Sequence, residues 1–371
     1  MRPTERRRAA RLPARDALAA AGTLGVLTSR PVRGLAKASL LLSEILPSPV
    51  KPLRRLTQEP VVSPLQLPFG PADLYRLPGR HDPGIVLVHG ANPGGRSDPR
   101  VRMMASSLAR LGRTVLVPGL ALGDQRIERE DTHRIRSAIG YLAGLTGERV
   151  VVLAFSFGAA FTLVAFEEEP DAQDQVRALA TVGTYYDLVH MLEGVTTGQV
   201  NYDDGMVEWQ PSGDAPRAVT EFLSMFLEPD DAGSLMKAYD TRDPSSLGRD
   251  PLAVYAVMTN EDPRLTRELV RSLPQDLVDV LETLSPSTHI ARVRVPVWAL
   301  HSHEDPAAPP GESLRLVRAL ESRIDARLTL VGLLRHVTPT GDPALWARDG
   351  RLLLGYAARL LKAQESLLPR L

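Results

Sequence analysis

Short apolar runs rich in β-branched residues alternate along most of the chain with longer stretches whose apolar residues recur at helical spacing. Ile85 to Val88 is the first such run, Val101 to Leu111 is helix-like, and Thr114 to Val117 is a second run. Thr132 to Leu145 has helical spacing, Arg149 to Phe155 reads as a strand, Phe157 to Glu168 as its following helix, and Val176 to Val182 as another strand. After a long interruption, Val295 to Leu300 and Ala326 to Val331 resume the strands, with helix-like Ser313 to Ile324 between them and Ala344 to Lys362 closing the pattern. Strands without polar alternation are buried on both faces, and helices between them cover those faces, so a mainly parallel central sheet is expected. In such sheets ligands meet the carboxyl ends of the strands, and the residues just after each strand are the ones to search for chemistry.

The interruption, residues 188–289, shows no convincing strand but several helix-like pieces, among them Ala218 to Phe226, Leu265 to Leu273 and Asp276 to Leu284. It reads as a helical cap inserted before the Asp-bearing strand, placed to lie over the sheet and select substrates. Residues 61–187 and 290–371 then form the α/β core. The first 60 residues read differently, as a basic, proline-containing arm and linker. Arg2 to Arg15 precede an apolar stretch, Ala17 to Leu27, with Arg30 and Arg33 close behind. Arginines directly after a short apolar stretch oppose export, and the stretch is too short to span a bilayer, so a cytoplasmic chain is expected. Leu35, Leu40 to Leu42, Ile45 and Leu46 form an amphipathic pattern that either packs on the domain or rests on a lipid surface. Frequent prolines from Pro47 to Pro71 mark a linker into the main domain.

Composition narrows the chemistry. The chain has 371 residues, 43% of them hydrophobic, enough for a substantial core. Lys+Arg and Asp+Glu both number 44, so no global field recruits nucleic acid, and none is expected as a partner. Absence of cysteine removes disulfides, thiolate nucleophiles and cysteine-based metal sites, leaving serine as the nucleophile to look for.

Ser156 stands where a strand meets a helix, in Ala154-Phe155-Ser156-Phe157-Gly158. A nucleophile elbow reads this way: a sharp turn lifts a hydroxyl above the sheet, with very small residues two positions before and after it. Serine needs a base to take its proton and a carboxylate to orient that base. His336, before the final helix, is the candidate base. Asp305, after the Val295 strand, is the candidate acid, with Glu304 as the adjacent rival, expected to face the opposite way, and Asp187, after the Val176 strand, as the more distant alternative. Standing alone, each has an ordinary structural role: an Asp before proline shapes a turn, and a histidine among leucines packs or caps. Their order Ser, Asp, His, each after its own strand, is what joins them. An oxyanion hole would use the Phe157 amide and one from the loop His89 to Gly95, Ala91 preferred over Asn92, with His89 bracing the loop. Asn92, Tyr185, Tyr186 and Trp209 are candidates for a substrate pocket, although such aromatic residues also form a cap's own core.

Together Val88-His89-Gly90, Phe155-Ser156-Phe157-Gly158, the Asp305-Pro306 loop and His336 resemble the α/β-hydrolase-fold serine hydrolases, in the broad esterase, lipase and dienelactone hydrolase group. The resemblance covers about residues 65–365. Ala154 for the first elbow glycine, Ser302 where glycine is frequent, and Arg335 and Val337 flanking the histidine are departures. What the resemblance implies is a hydrolase of a small-molecule ester or related acyl bond, with Ser156, Asp305 and His336 as triad and no metal or organic cofactor. Thioesterase, peptidase and lyase chemistries use the same residues, and an inactive scaffold binding a partner or lipid surface is the reading outside enzymes.

Overall fold

The computed structural model describes residues 30–46, 51–68, 70–79, 82–124, 126–202 and 204–363. The apolar stretch Ala17 to Leu27 lies outside them. Helices α1 (Arg30–Ile45) and α2 (Pro52–Leu56) lead into strands β1 (Val61–Leu67), β2 (Gly70–Arg76) and β3 (Gly84–Val88). Then come α3 (Pro99–Arg110), β4 (Thr114–Pro118), α4 (Glu130–Thr146), β5 (Val150–Phe155), α5 (Phe157–Glu168) and β6 (Val176–Val182). The insertion holds α6 (Leu188–Thr197), the hairpin β7 (Gln199–Tyr202) and β8 (Gly205–Glu208), and α7 (Ala215–Ser224), α8 (Pro229–Thr241), α9 (Arg249–Met258), α10 (Thr266–Arg271) and α11 (Gln275–Thr283). The chain returns through β9 (Val297–Ser302), α12 (Pro310–Leu320), β10 (Ala326–Val331), a small hairpin of β11 (Leu334–Arg335) and β12 (Thr338–Pro339), and α13 (Pro343–Lys362).

Eight strands form one sheet in the order β1-β2-β4-β3-β5-β6-β9-β10. Only β2 breaks the parallel direction, pairing antiparallel with both β1 and β4. The pleat sends alternate side chains to two separate cores. Val86, Val88, Val152 and Ala154 face the side of α4 and α5, while Ile85, Leu87, Val151 and Leu153 face the side of α1, α3 and α13. That is why the strands read as unbroken apolar runs.

Three expectations change in register or extent. Pro64 lies inside β1, so the expected linker to Pro71 ends in a strand; β1 is at the sheet edge, where a missing N–H is tolerated. The strand expected at Val295 starts instead at Val297, because its pairing with Ala326 and Leu179 begins there, and it continues through His301 and Ser302. In the insertion, β7 and β8 form a hairpin where no strand was expected: four residues each are too few for a periodic signal, and the β8 residues are exposed.

Helix α1 packs against α13 and α3, burying Ala38, Leu41 and Leu42. At Gly34 the fit is close: a Cβ there would sit 2.6 Å from the Lys362 side chain. Lys51 Nζ donates to the carbonyls of Ser43, Glu44 and Leu46 at 3.3, 2.7 and 2.7 Å, satisfying acceptors that a helix C-terminus leaves free. The fully buried Glu44 in turn accepts from the Arg54 amide. Among the described residues no helix is long and apolar enough to cross a membrane.

Candidate active site

Strand β5 ends at Phe155, and α5 begins at Phe157. The single residue between them, Ser156, takes φ 49° and ψ −128°, a left-handed conformation that non-glycine residues seldom adopt. Its amide donates to Val182 O at 2.8 Å, which ties the turn to β6. The two flanking small residues have different reasons. A Cβ at Gly158 would lie 2.1 Å from His89 O, so only glycine fits beneath the β3 exit loop. Ala154 is buried within β5, where its methyl is accommodated, and this explains why the departure from glycine is tolerated there.

His336 occupies the two-residue turn between β11 and β12, with φ 56°. Its Nδ1 lies 2.8 Å from Asp305 Oδ2. With the carboxylate as acceptor, Nδ1 carries the proton and Nε2 keeps its lone pair. Asp305 is buried, and burial alone would push its carboxyl up. Hydrogen bonds from His301 and His336 overcome that and hold it well below the usual carboxylate range. Its other oxygen accepts the amides of Ala307 at 2.8 Å and Ala308 at 3.1 Å.

His301 is fully buried at the end of β9, with Nε2 3.0 Å from Ala308 O and 3.2 Å from Asp305 Oδ2. Both neighbours are acceptors, so this nitrogen is the protonated one; Nδ1 lies 2.6 Å from the Ser313 hydroxyl. Gly183, directly after β6, has φ 63°, and a Cβ there would stand 2.9 Å from the His336 ring and 3.3 Å from Asp305 Oδ2. The histidine and aspartate can meet because nothing projects from that position.

The loop after β3 runs against the serine. A Cβ at Gly90 would be 2.9 Å from Ser156 Cβ. His89 is buried, and its Nδ1 is 2.9 Å from Gly90 O, bracing the loop as expected; burial lowers its basicity. Asn92 donates to Asp98, which also takes the Arg100 amide and guanidinium and so caps α3. The Arg100 bonds, with the Asn92 contact adding less, hold the Asp98 carboxyl down at about 2 against the burial of that side chain. Ser156, His336, Ala91 and Asn92 all border one cavity of about 580 Å³. The Phe157 amide belongs to the first turn of α5, whose N–H groups have no intrahelical acceptor and whose dipole favours negative charge.

The strand order, with antiparallel β2 beside β4 and a left-handed serine closing β5, decides the architecture. It is the α/β-hydrolase fold. No protein-family model matches the chain, and no curated protein matches it in sequence. Among solved structures it is similar to the acylaminoacyl peptidase of Pyrococcus horikoshii, at 17% identity and a TM-score of 0.49 over 85% of this chain and 44% of that one. The chain thus spans less than half the length of that peptidase. It is also similar to a dienelactone hydrolase from Anabaena variabilis ATCC 29413, at 15% identity and a TM-score of 0.43 over 83% of this chain and 97% of that one. A third likeness is to brefeldin A esterase, described as a bacterial homologue of human hormone-sensitive lipase, at 15% identity and a TM-score of 0.47 over 91% and 88% of the two chains. Topology and the elbow, rather than these distant likenesses, carry the fold assignment.

Several expected site residues stand elsewhere in this hydrolase fold. Asp187 caps α6, accepting the Val189 amide at 2.9 Å, while Asp305 holds His336. Tyr185, Tyr186 and Trp209 do not line the cavity, and neither does any other described residue of 188–289. The Tyr185 ring packs edge-on against Phe157 and its hydroxyl donates to Leu284 O, while the Tyr186 amide donates to Glu312. The Trp209 indole donates to Asp305 O at 2.6 Å, and the Ser212 amide to Pro306 O at 2.9 Å. The insertion therefore grips the aspartate loop from behind instead of lining the cavity. Sequence reasoning missed His301 and Gly183; the signals were a histidine four residues before the candidate aspartate and a glycine immediately after an apolar strand. Among the described residues no group of three or more His, Asp or Glu side chains is placed to hold a metal ion.

Proposed function

We propose that the protein is a serine hydrolase acting on an ester or related acyl bond of a small molecule. His336 Nε2 takes the proton of Ser156 as Oγ bonds to the carbonyl carbon, and the carbonyl electrons move onto oxygen. The Phe157 and Ala91 amides receive that oxyanion. When the intermediate collapses, the leaving alcohol departs with the proton from His336 and leaves an acyl-serine. Water then repeats the sequence: its proton passes to His336, the acid is released, and the proton returns to Ser156 Oγ. Asp305 keeps His336 in the required tautomer and stabilises its charged form.

The observation that carries this reading is His336, 2.8 Å from the buried Asp305 and bordering the same cavity as Ser156, which is held at a positive φ. A fluorophosphonate probe is expected to label the wild type at Ser156, and p-nitrophenyl butyrate to be turned over. Ser156→Ala should lose labelling and at least about 10⁴-fold of turnover while keeping its melting temperature. Undiminished labelling of Ser156→Ala, or none of the wild type, removes the assignment. Labelling with cleavage of acyl-peptides but no esters moves the enzyme to the peptidases.

A further inference from the structure

The cavity at Ser156 is walled by the N-terminal helix, a segment that reads in sequence as an appendage. We propose that this cavity receives an alkyl chain of the substrate, and that the C-terminal end of α1 is a specificity wall for it. The proposal rests on the hydrolase reading above. Ile45 at the end of α1 and Leu46 directly after it, Val101 and Met104 from α3, and Val337 beside His336 all border the cavity. Each packs on the core cluster of its side of the sheet yet stays only partly buried, because part of its apolar surface faces the cavity. A volume of about 580 Å³ suits a small-molecule ligand.

The charged groups at its edge are already engaged. Lys51 Nζ donates to two α1 carbonyls and to that of Leu46, and Arg100 pairs with Asp98. A substrate carboxylate or phosphate would compete with those bonds, whereas an alkyl chain needs none of them. The wall is also set in advance, since the Lys51 bonds and the packing of α1 against α13 fix it before any ligand arrives. Methionine at 104 adds an adaptable surface suited to a flexible chain. Because Ser156 lies at the same cavity, a chain seated there belongs to the molecule whose carbonyl the serine attacks.

Two ester series locate the chain: p-nitrophenyl acetate to octanoate varies the acyl side, and ethyl to octyl acetate varies the alcohol side. On one of them kcat/KM is expected to rise by about fourfold per methylene until the cavity is filled. Leu46→Trp and Met104→Trp should each lower the long-to-short ratio on that series at least about tenfold, and Leu46→Ala should move the optimum to a longer chain. Met225→Trp, exposed on the insertion, should leave the ratio alone. Melting curves identify which variants are folded, and three substitutions at two positions keep the test open if one is not. Flat series in the wild type, or an unmoved ratio in the folded variants, overturn the proposal while fluorophosphonate labelling still supports the hydrolase. Failure to label the wild type takes down the underlying reading instead.

Discussion

The two sides of the site are built in opposite ways. Behind His336, Asp305 receives two histidines, two backbone amides on its carboxylate and the Trp209 indole on its carbonyl, all within a buried region. In front of Ser156 one wall of the cavity is made of partly exposed apolar side chains from the end of α1, from α3 and from the β11–β12 hairpin. Directional chemistry needs one geometry, and redundant hydrogen bonds impose it; binding an alkyl chain needs area, which apolar walls provide without direction. Different segments supply the two sides. The insertion supports the polar side, and the N-terminal helix shapes the apolar one, so substitutions should separate rate from chain preference.

The largest break in this contrast is expected from Asp305→Asn, which leaves the shape but favours the wrong His336 tautomer. Its kcat should fall about 10⁴-fold with the chain-length preference intact, measured on two ester lengths. A loss below tenfold would mean the polar side is not what sets the rate. Gly183→Ala comes next. It combines a left-handed φ with a Cβ 2.9 Å from the His336 ring, so the ring is displaced and kcat falls about 10²-fold. A crystal structure of this variant should show the ring moved away from Gly183.

His301→Leu sharpens the same side more gently. Losing one hydrogen bond to an ionised carboxylate, worth about 1.5–3 kcal/mol, should lower kcat about tenfold. The His301 bond helps hold the Asp305 carboxyl down, so the variant carboxylate is held less firmly in its charged, acceptor form. An unchanged kcat would leave His301 with a packing role alone.

The smallest effect on activity is expected away from both sides, at Glu167. Burial pushes its carboxyl up to about 9 from 4.5, with Arg292 only partly opposing. Between those values the folded chain holds a proton that the unfolded chain has released, so this residue makes stability fall as pH rises. Glu167→Gln removes the slope: in urea unfolding at pH 5, 7 and 9 its advantage over wild type should grow with pH, while kcat/KM stays within about twofold. An advantage that shrinks with pH would reverse the sign argued for Glu167.

The placement of Ser156, Asp305 and His336 at one edge of the sheet was legible because each follows its own strand, and parallel strands bring their carboxyl ends together. Alternation of apolar runs and helices likewise located β3 to β6 and β10 closely. His301 was hidden by a two-residue difference in where β9 ends, which moved it from a loop into a buried strand end. Trp209 was misread because its aromatic character suggested a pocket, whereas its indole N–H is what the structure uses.

Local pattern by itself determined the sheet, the elbow and the order of the chemical residues, since backbone geometry and side-chain burial act over a few neighbouring positions. Long-range packing decided that glycine is required at 158 but alanine is tolerated at 154, that Asp305 and not Asp187 meets His336, and that α1 walls the cavity. Those outcomes depend on ångström-scale gaps between segments far apart in the chain. Such gaps exist only once both cores are packed.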